Sequence, residues 1–184
     1  MDIFASEIGS ELPIEVTLTC NFPLSILLSA MLIPHRKSVT FIICKRKDRV
    51  IEMKVIVCVD DNLGMLFHKR RQSRDAKVIE NIFQMTEKLW IHPFSDKLFP
   101  GYEGQVVVNE EFLQRAGEGE VCFVENQQIT PYEDKIEQII LYKWNRKYPA
   151  DFKLDLELRN WELIEVLEFV GSSHERITRE IYQR

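Results

Sequence analysis

Cysteine and histidine are scarce in this chain, and neither is clustered. The four cysteines, Cys20, Cys44, Cys58 and Cys122, lie far apart in apolar segments with no Cys-x-x-Cys pair. That spacing removes zinc-ribbon and thioredoxin-like chemistry. They are expected to be free, buried side chains acting as small hydrophobes in a reducing cytoplasm, with disulfides the alternative. The histidines His35, His68, His92 and His174 are equally dispersed, and no His-Glu-x-x-His pattern is present, so no metal is expected. A Gly-x-Ser-x-Gly elbow for a serine hydrolase is missing as well.

Long apolar runs are also lacking. Phe22 to Ile33 is the most apolar stretch, and Pro34 closes it well short of the roughly 17–25 residues of a spanning helix. Joining it to Leu12–Cys20 would carry Glu15, Asn21 and Pro23 into hydrocarbon. A signal peptide needs a basic start, whereas Met1 to Thr19 holds Asp2, Glu7, Glu11 and Glu15 with no Lys or Arg. No membrane association is expected. The formal charge is −5. Residues 1–52 are neutral, so the remainder carries all of it, which disfavours nucleic acid as a partner except at a local patch. Neither repeats nor low-complexity tracts occur.

What is present is the material of one globular domain, 184 residues with 45% hydrophobic and 29% charged side chains. Val55 to Val59 is a β-branched run without polar alternation, as befits a strand buried on both faces. Asp60-Asp61-Asn62 ends it with turn formers, and Gly64 opens a loop. Residues 53–184 are therefore expected to form the main domain. Residues 1–52 form an N-terminal extension with a strand at Val39 to Cys44. Two readings of that extension stay open. It is translated upstream sequence preceding a natural start at Met53, or it is a genuine β-rich segment.

In the main domain, Ser73 is expected to cap a helix whose apolar face is Ala76, Val78, Ile79, Ile82, Phe83 and Met85. Strands are expected at Leu89–His92, Gln105–Val108, Val121–Val124 and Gln138–Trp144. Ser95 is expected to cap a single helical turn through Leu98, and a second helical turn is expected from Pro131 to Lys135. A compact helix spans Glu110 to Ala116, closed by Gly117. Trp161–Phe169 and Arg176–Tyr182 pair as a terminal hairpin across Gly171-Ser172-Ser173, with His174 in the turn. The result is an α/β fold, with a mixed, mostly parallel sheet flanked by helices and ending in an antiparallel hairpin. Trp90, Trp144 and Trp161 are assigned to packing.

The series VIVCVDDNLGM, LWIHPFSDKLFP, EVCFVENQ, IEQIILYKWNRKYPAD and NWELIEVLEF…ITREIYQR resembles, in that order, the dihydrofolate reductase family over Met53–Arg184. The resemblance implies a site for NADPH and a pterin, and the residues at its positions are altered. Leu66 replaces the second glycine of the first loop, and Arg71-Gln72-Ser73 stands where Leu-Pro-Trp is usual. His92-Pro93 replaces Gly-Arg, while Ser95 keeps a neighbouring hydroxyl. Asn126-Gln127 occupies the Gly-Gly position that lets backbone approach the pyrophosphate, with Glu125 beside it. Counting back from Thr86 to the family's helix carboxylate reaches Val78, with Asp75 and Glu80 off register. Phe152 follows Asp151 where a Thr is usual.

Two functions follow. One is a divergent member of that fold that has lost NADPH binding and reductase activity and serves as a small-anion or nucleotide-binding or interaction protein. Its candidate anion site is His68, Arg70, Arg71 and Arg74 beside a helix start, though such runs are more often solvated faces. The alternative is an NAD(P)H-dependent reductase of folate or a related heterocycle. In that case Asp75 is the proton-relay acid and Ser95, Asn126 and Gln127 are the cofactor contacts.

Overall fold

The computed structural model describes residues 53–184 and, before them, the backbone of four short strands. The chain divides into two units, Met1–Arg49 and Val50–Arg184. In the first, β1 (Ala5–Ser6), β2 (Glu15–Val16), β3 (Leu32–His35) and β4 (Ser38–Ile42) form an antiparallel sheet in the order β1-β2-β4-β3. The expected strand at Val39–Cys44 corresponds to β4. Cys20 and Cys44 lie outside the described residues.

The second unit is built on β5 (Met53–Val59), the β-branched run read from the sequence. Side chains alternate across a strand, so the odd and even positions of β5 face opposite sides. Met53, Val55, Val57 and Val59 enter one core, together with Phe112, Leu113, Leu154 and Trp161. Ile56 enters a second, with Val78, Ile82, Phe123, Tyr142 and Trp144. A strand covered on both faces has to be apolar along its covered length, which is why Val55–Val59 shows no polar alternation.

Helix α1 (Ala76–Met85) covers the even face and buries Val78 and Ile82. Then follow β8 (Leu89–Ile91), a 3-10 segment at Pro93–Leu98 and β9 (Val106–Val108). Helix α2 (Phe112–Arg115) covers the odd face, and β10 (Val121–Val124) succeeds it. A second 3-10 segment spans Thr130–Lys135 and leads to β11 (Ile136–Lys143). The chain ends with β13 (Glu162–Phe169) and β14 (Ile177–Gln183). The seven-stranded sheet runs β13-β14-β11-β5-β10-β8-β9. β11, β5, β10, β8 and β9 are parallel, and β14 and β13 close the edge antiparallel. This is the expected mixed, mostly parallel α/β architecture.

One element was not anticipated. β6 (Gly64–Phe67), β7 (Arg70–Arg71) and β12 (Phe152–Lys153) form a small antiparallel sheet in the order β12-β6-β7. Gly64 therefore begins a strand instead of opening a loop. A Cβ there would meet the Ala150 Cβ at 2.5 Å and Gln72 Nε2 at 2.6 Å, so this position requires a residue without a side chain. Asp60, fully buried, anchors the turn before it: Oδ1 accepts from the N–H groups of Asn62 and Gly64, and Oδ2 from that of Tyr148.

Candidate functional site

In an open parallel sheet, ligand crevices lie beyond the C-terminal ends of the strands. Here that edge is formed by the ends of β5, β10 and β8 and is roofed by the start of α1 and by the β6–β7 hairpin. Three groups of polar side chains meet there.

The first is centred on Asp75, which the structure corrects to the N-cap of α1 in place of Ser73. Asp75 Oδ1 accepts from the backbone N–H of Lys77 (2.9 Å) and from the N–H (2.8 Å) and Oγ (2.9 Å) of Ser172. Oδ2 accepts from the N–H (2.7 Å) and Oγ (2.9 Å) of Ser173, and His174 Nδ1 lies 3.1 Å away. Gly171 makes the approach possible, because a Cβ there would come within 2.5 Å of Asp75 Oδ2. Burial raises the carboxyl's pKa, but the hydrogen bonds from Ser172, Ser173, His174 and Lys77 outweigh it and hold the group well below the usual carboxylate range. Ser73, displaced from the cap, has its Oγ 3.0 Å from His174 Nε2. His174, expected in an ordinary turn, is buried and stacks on Trp144 with centroids 4.8 Å apart.

The second group is centred on Glu125, at the end of β10. Its Oε2 accepts from Ser95 Oγ (2.7 Å) and from Arg71 Nη2 (3.1 Å). Arg71 also lies over the Phe94 ring. Burial raises the Glu125 pKa despite the contributions of Ser95 and Arg71. The Cys58 thiol is pushed well up by burial and then by Glu125, which leaves it protonated and a poor nucleophile. Ser95 does not cap its own 3-10 segment. That role belongs to His92, whose Nδ1 accepts from the Phe94 N–H.

The third group holds the remaining cofactor candidates. The Asn126 amide lies 3.2 Å from His92 Nδ1, and Gln127 Nε2 donates to the Glu110 carbonyl at 3.4 Å. Between the first two groups, Cys58, Ser73, Asp75, Val78, Phe123, Glu125 and Trp144 enclose only about 10 Å³, room for one water molecule. Beside Gln127, by contrast, lies an open hollow of about 320 Å³ whose lining includes Glu110, Glu111, Gln128 and Tyr132.

The four residues of the anticipated anion patch are not brought together. β7 alternates, so Arg71 turns inward to Glu125 while Arg70 remains exposed. His68 sits at the tip of the β6–β7 hairpin, where its N–H donates to Asp151 Oδ2 (2.8 Å). Arg74 is exposed one residue before the cap. Among the described residues, no group of three or more His, Cys, Asp or Glu could hold a metal, and no helix is long and apolar enough to cross a membrane.

The arrangement defines a class first: the α/β fold of dihydrofolate reductases. No family model and no curated protein matches the chain. Among solved structures the chain is similar to the dihydrofolate reductase of Enterococcus faecalis, complexed with NADP(H) and RAB-propyl. The TM-score is 0.51 over 72% of this chain and 96% of that one, at 12% identity. A likeness at that identity establishes the fold.

Proposed function

We propose that this chain is a dihydrofolate reductase-fold protein that does not reduce folates and serves as an interaction protein. The single observation behind the proposal is the saturation of Asp75. A proton-relay carboxylate needs a lone pair free for the heterocycle and a pKa near the working pH. Asp75 has neither, since both of its oxygens are taken by the Ser172–His174 turn and its pKa is depressed. Ser95, the hydroxyl kept in the resemblance, donates to Glu125.

The hollow beside Gln127 favours a second reading, in which a dinucleotide still binds. Its lining weighs against that reading chemically, because Glu110 brings negative charge to it and Glu111 already holds Arg115, where free backbone N–H groups or arginines would attract a pyrophosphate. Titrating the full chain with NADPH while following cofactor fluorescence separates the two. No saturable change at millimolar NADPH and no dihydrofolate-dependent oxidation supports the interaction protein. Saturable quenching with turnover overturns it.

A further inference from the structure

We propose that Ser73, His174 and Asp75 form a nucleophile–base–carboxylate triad that hydrolyses esters of small acyl groups. None of Ser95, Asn126 and Gln127 takes part, so the triad stands or falls independently of NADPH binding. Ser73 Oγ lies 3.0 Å from His174 Nε2, and His174 Nδ1 lies 3.1 Å from Asp75 Oδ2. Such a triad is recognised by its geometry in any chain order, and it needs no Gly-x-Ser-x-Gly elbow. The protons follow from the partners. Asp75 is held ionised by backbone and hydroxyl donors and can only accept. The imidazole proton of His174 therefore sits on Nδ1, which leaves Nε2 bare to accept from the Ser73 hydroxyl. Stacking on Trp144 fixes the plane of the ring. The saturation that disqualifies Asp75 as a proton relay suits this role, in which the carboxylate orients the imidazole and stays ionised throughout.

Ser73 is half-buried, and the space on either side of it sets the substrate. Inward lies the space of about 10 Å³ beside Cys58, Phe123 and Trp144. Outward, and sharing the walls Arg74, Asp75, Ile79 and Leu98, lies a hollow of about 410 Å³ that reaches Tyr102. The acyl group must therefore be as small as acetyl, while an aromatic leaving alcohol fits against Ile79, Leu98 and Tyr102. The N–H of Arg74, which follows the nucleophile directly, has no backbone acceptor among the described residues and is placed to donate to the developing oxyanion. In the first step Ser73 Oγ attacks the ester carbonyl carbon and His174 Nε2 takes its proton. The bond from that carbon to the alcohol oxygen breaks, and Nε2 returns the proton to the departing oxygen. Water then attacks the acyl-Ser73 ester, giving one proton through Nε2 to Ser73 Oγ and releasing the carboxylic acid.

Treating the full chain with a small alkyl fluorophosphonate and locating the adduct by peptide mass spectrometry tests the proposal. The wild type is expected to carry the adduct on Ser73, and Ser73→Ala to carry none. Asp75→Asn, with far-UV circular dichroism unchanged at the assay temperature, is expected to react at least about a hundredfold more slowly, because the amide favours the wrong tautomer of His174. With p-nitrophenyl acetate the wild type is expected to release a burst of one nitrophenolate per chain, which Ser73→Ala lacks. A folded wild type without an adduct on Ser73 overturns the proposal. So does an adduct that forms equally fast after unfolding in urea, or a burst that survives in Ser73→Ala. An Asp75→Asn variant that is folded and reacts at the wild-type rate removes the carboxylate from the triad.

Discussion

Asp75 is the residue on which the start of α1 and the terminal hairpin meet. Its replacement tests how much one saturated carboxylate contributes. Asp75→Asn keeps the shape but offers an amide to donors, so the Ser173 N–H and Oγ lose their acceptor. Stranding these part-buried donors costs about 1–2 kcal/mol, or a fall of roughly 2–8 °C in the melting temperature for a chain of this size. The pH dependence has a definite sign. A carboxyl whose folded pKa is depressed contributes stability above its unfolded pKa and loses it as pH falls through the folded value. Urea midpoints measured downward from pH 5 should therefore fall more steeply for the wild type than for Asp75→Asn. Glu125 has the opposite sign: its raised pKa favours the fold at low pH, and that contribution is lost as pH rises. Arg71→Met leaves Glu125 buried without its cation and should cost about 3 kcal/mol, whereas Arg71→Met with Glu125→Met should recover most of the loss. A double variant destabilised by the sum of Arg71→Met and Glu125→Met would show that the pair is uncoupled. The cap of α1, expected at Ser73, falls two positions later, at Asp75. The choice between them is made by Ser172 and Ser173, nearly a hundred residues away, and no local signal carries that information. His174 was unreadable for the same reason.

At the scale of elements, the strands of the large sheet were readable because they are β-branched runs with turn formers between them. The small β12-β6-β7 sheet was hidden. Its strands are two to four residues long and rich in arginine and phenylalanine, and its hairpin turn lacks the usual Asn-Gly. Instead His68 and Lys69 take φ values of 50° and 61°, a left-handed pair that non-glycine side chains adopt at a cost. Replacing them with Asn and Gly should stabilise the fold by about 1 kcal/mol. A higher urea midpoint with an unchanged slope would show it, and a lower midpoint would mean that the Phe67–His68 ring contact outweighs backbone strain. The same hairpin scattered the basic run. The sequence places His68, Arg70, Arg71 and Arg74 close together, but strand alternation turns Arg71 inward and away from the others. A local charge count is blind to that alternation.

At the scale of the molecule, the described residues of the second unit, Met53 onward, form two cores on either side of one sheet. A chain of residues 53–184 is expected to unfold cooperatively, as calorimetry would record; a non-cooperative transition would count against residues 53–184 as a self-sufficient domain. The position of β5 has a further consequence, for synthesis. It is the first strand of its sheet to be translated and lies in the middle of it. Its two flanking strands, however, are Val121–Val124 and Ile136–Lys143. A nascent Met53–Val59 must therefore wait, apolar and unpaired, until most of the chain has left the ribosome. Slow refolding and a dependence on chaperone capture during translation are the expected signatures of that order.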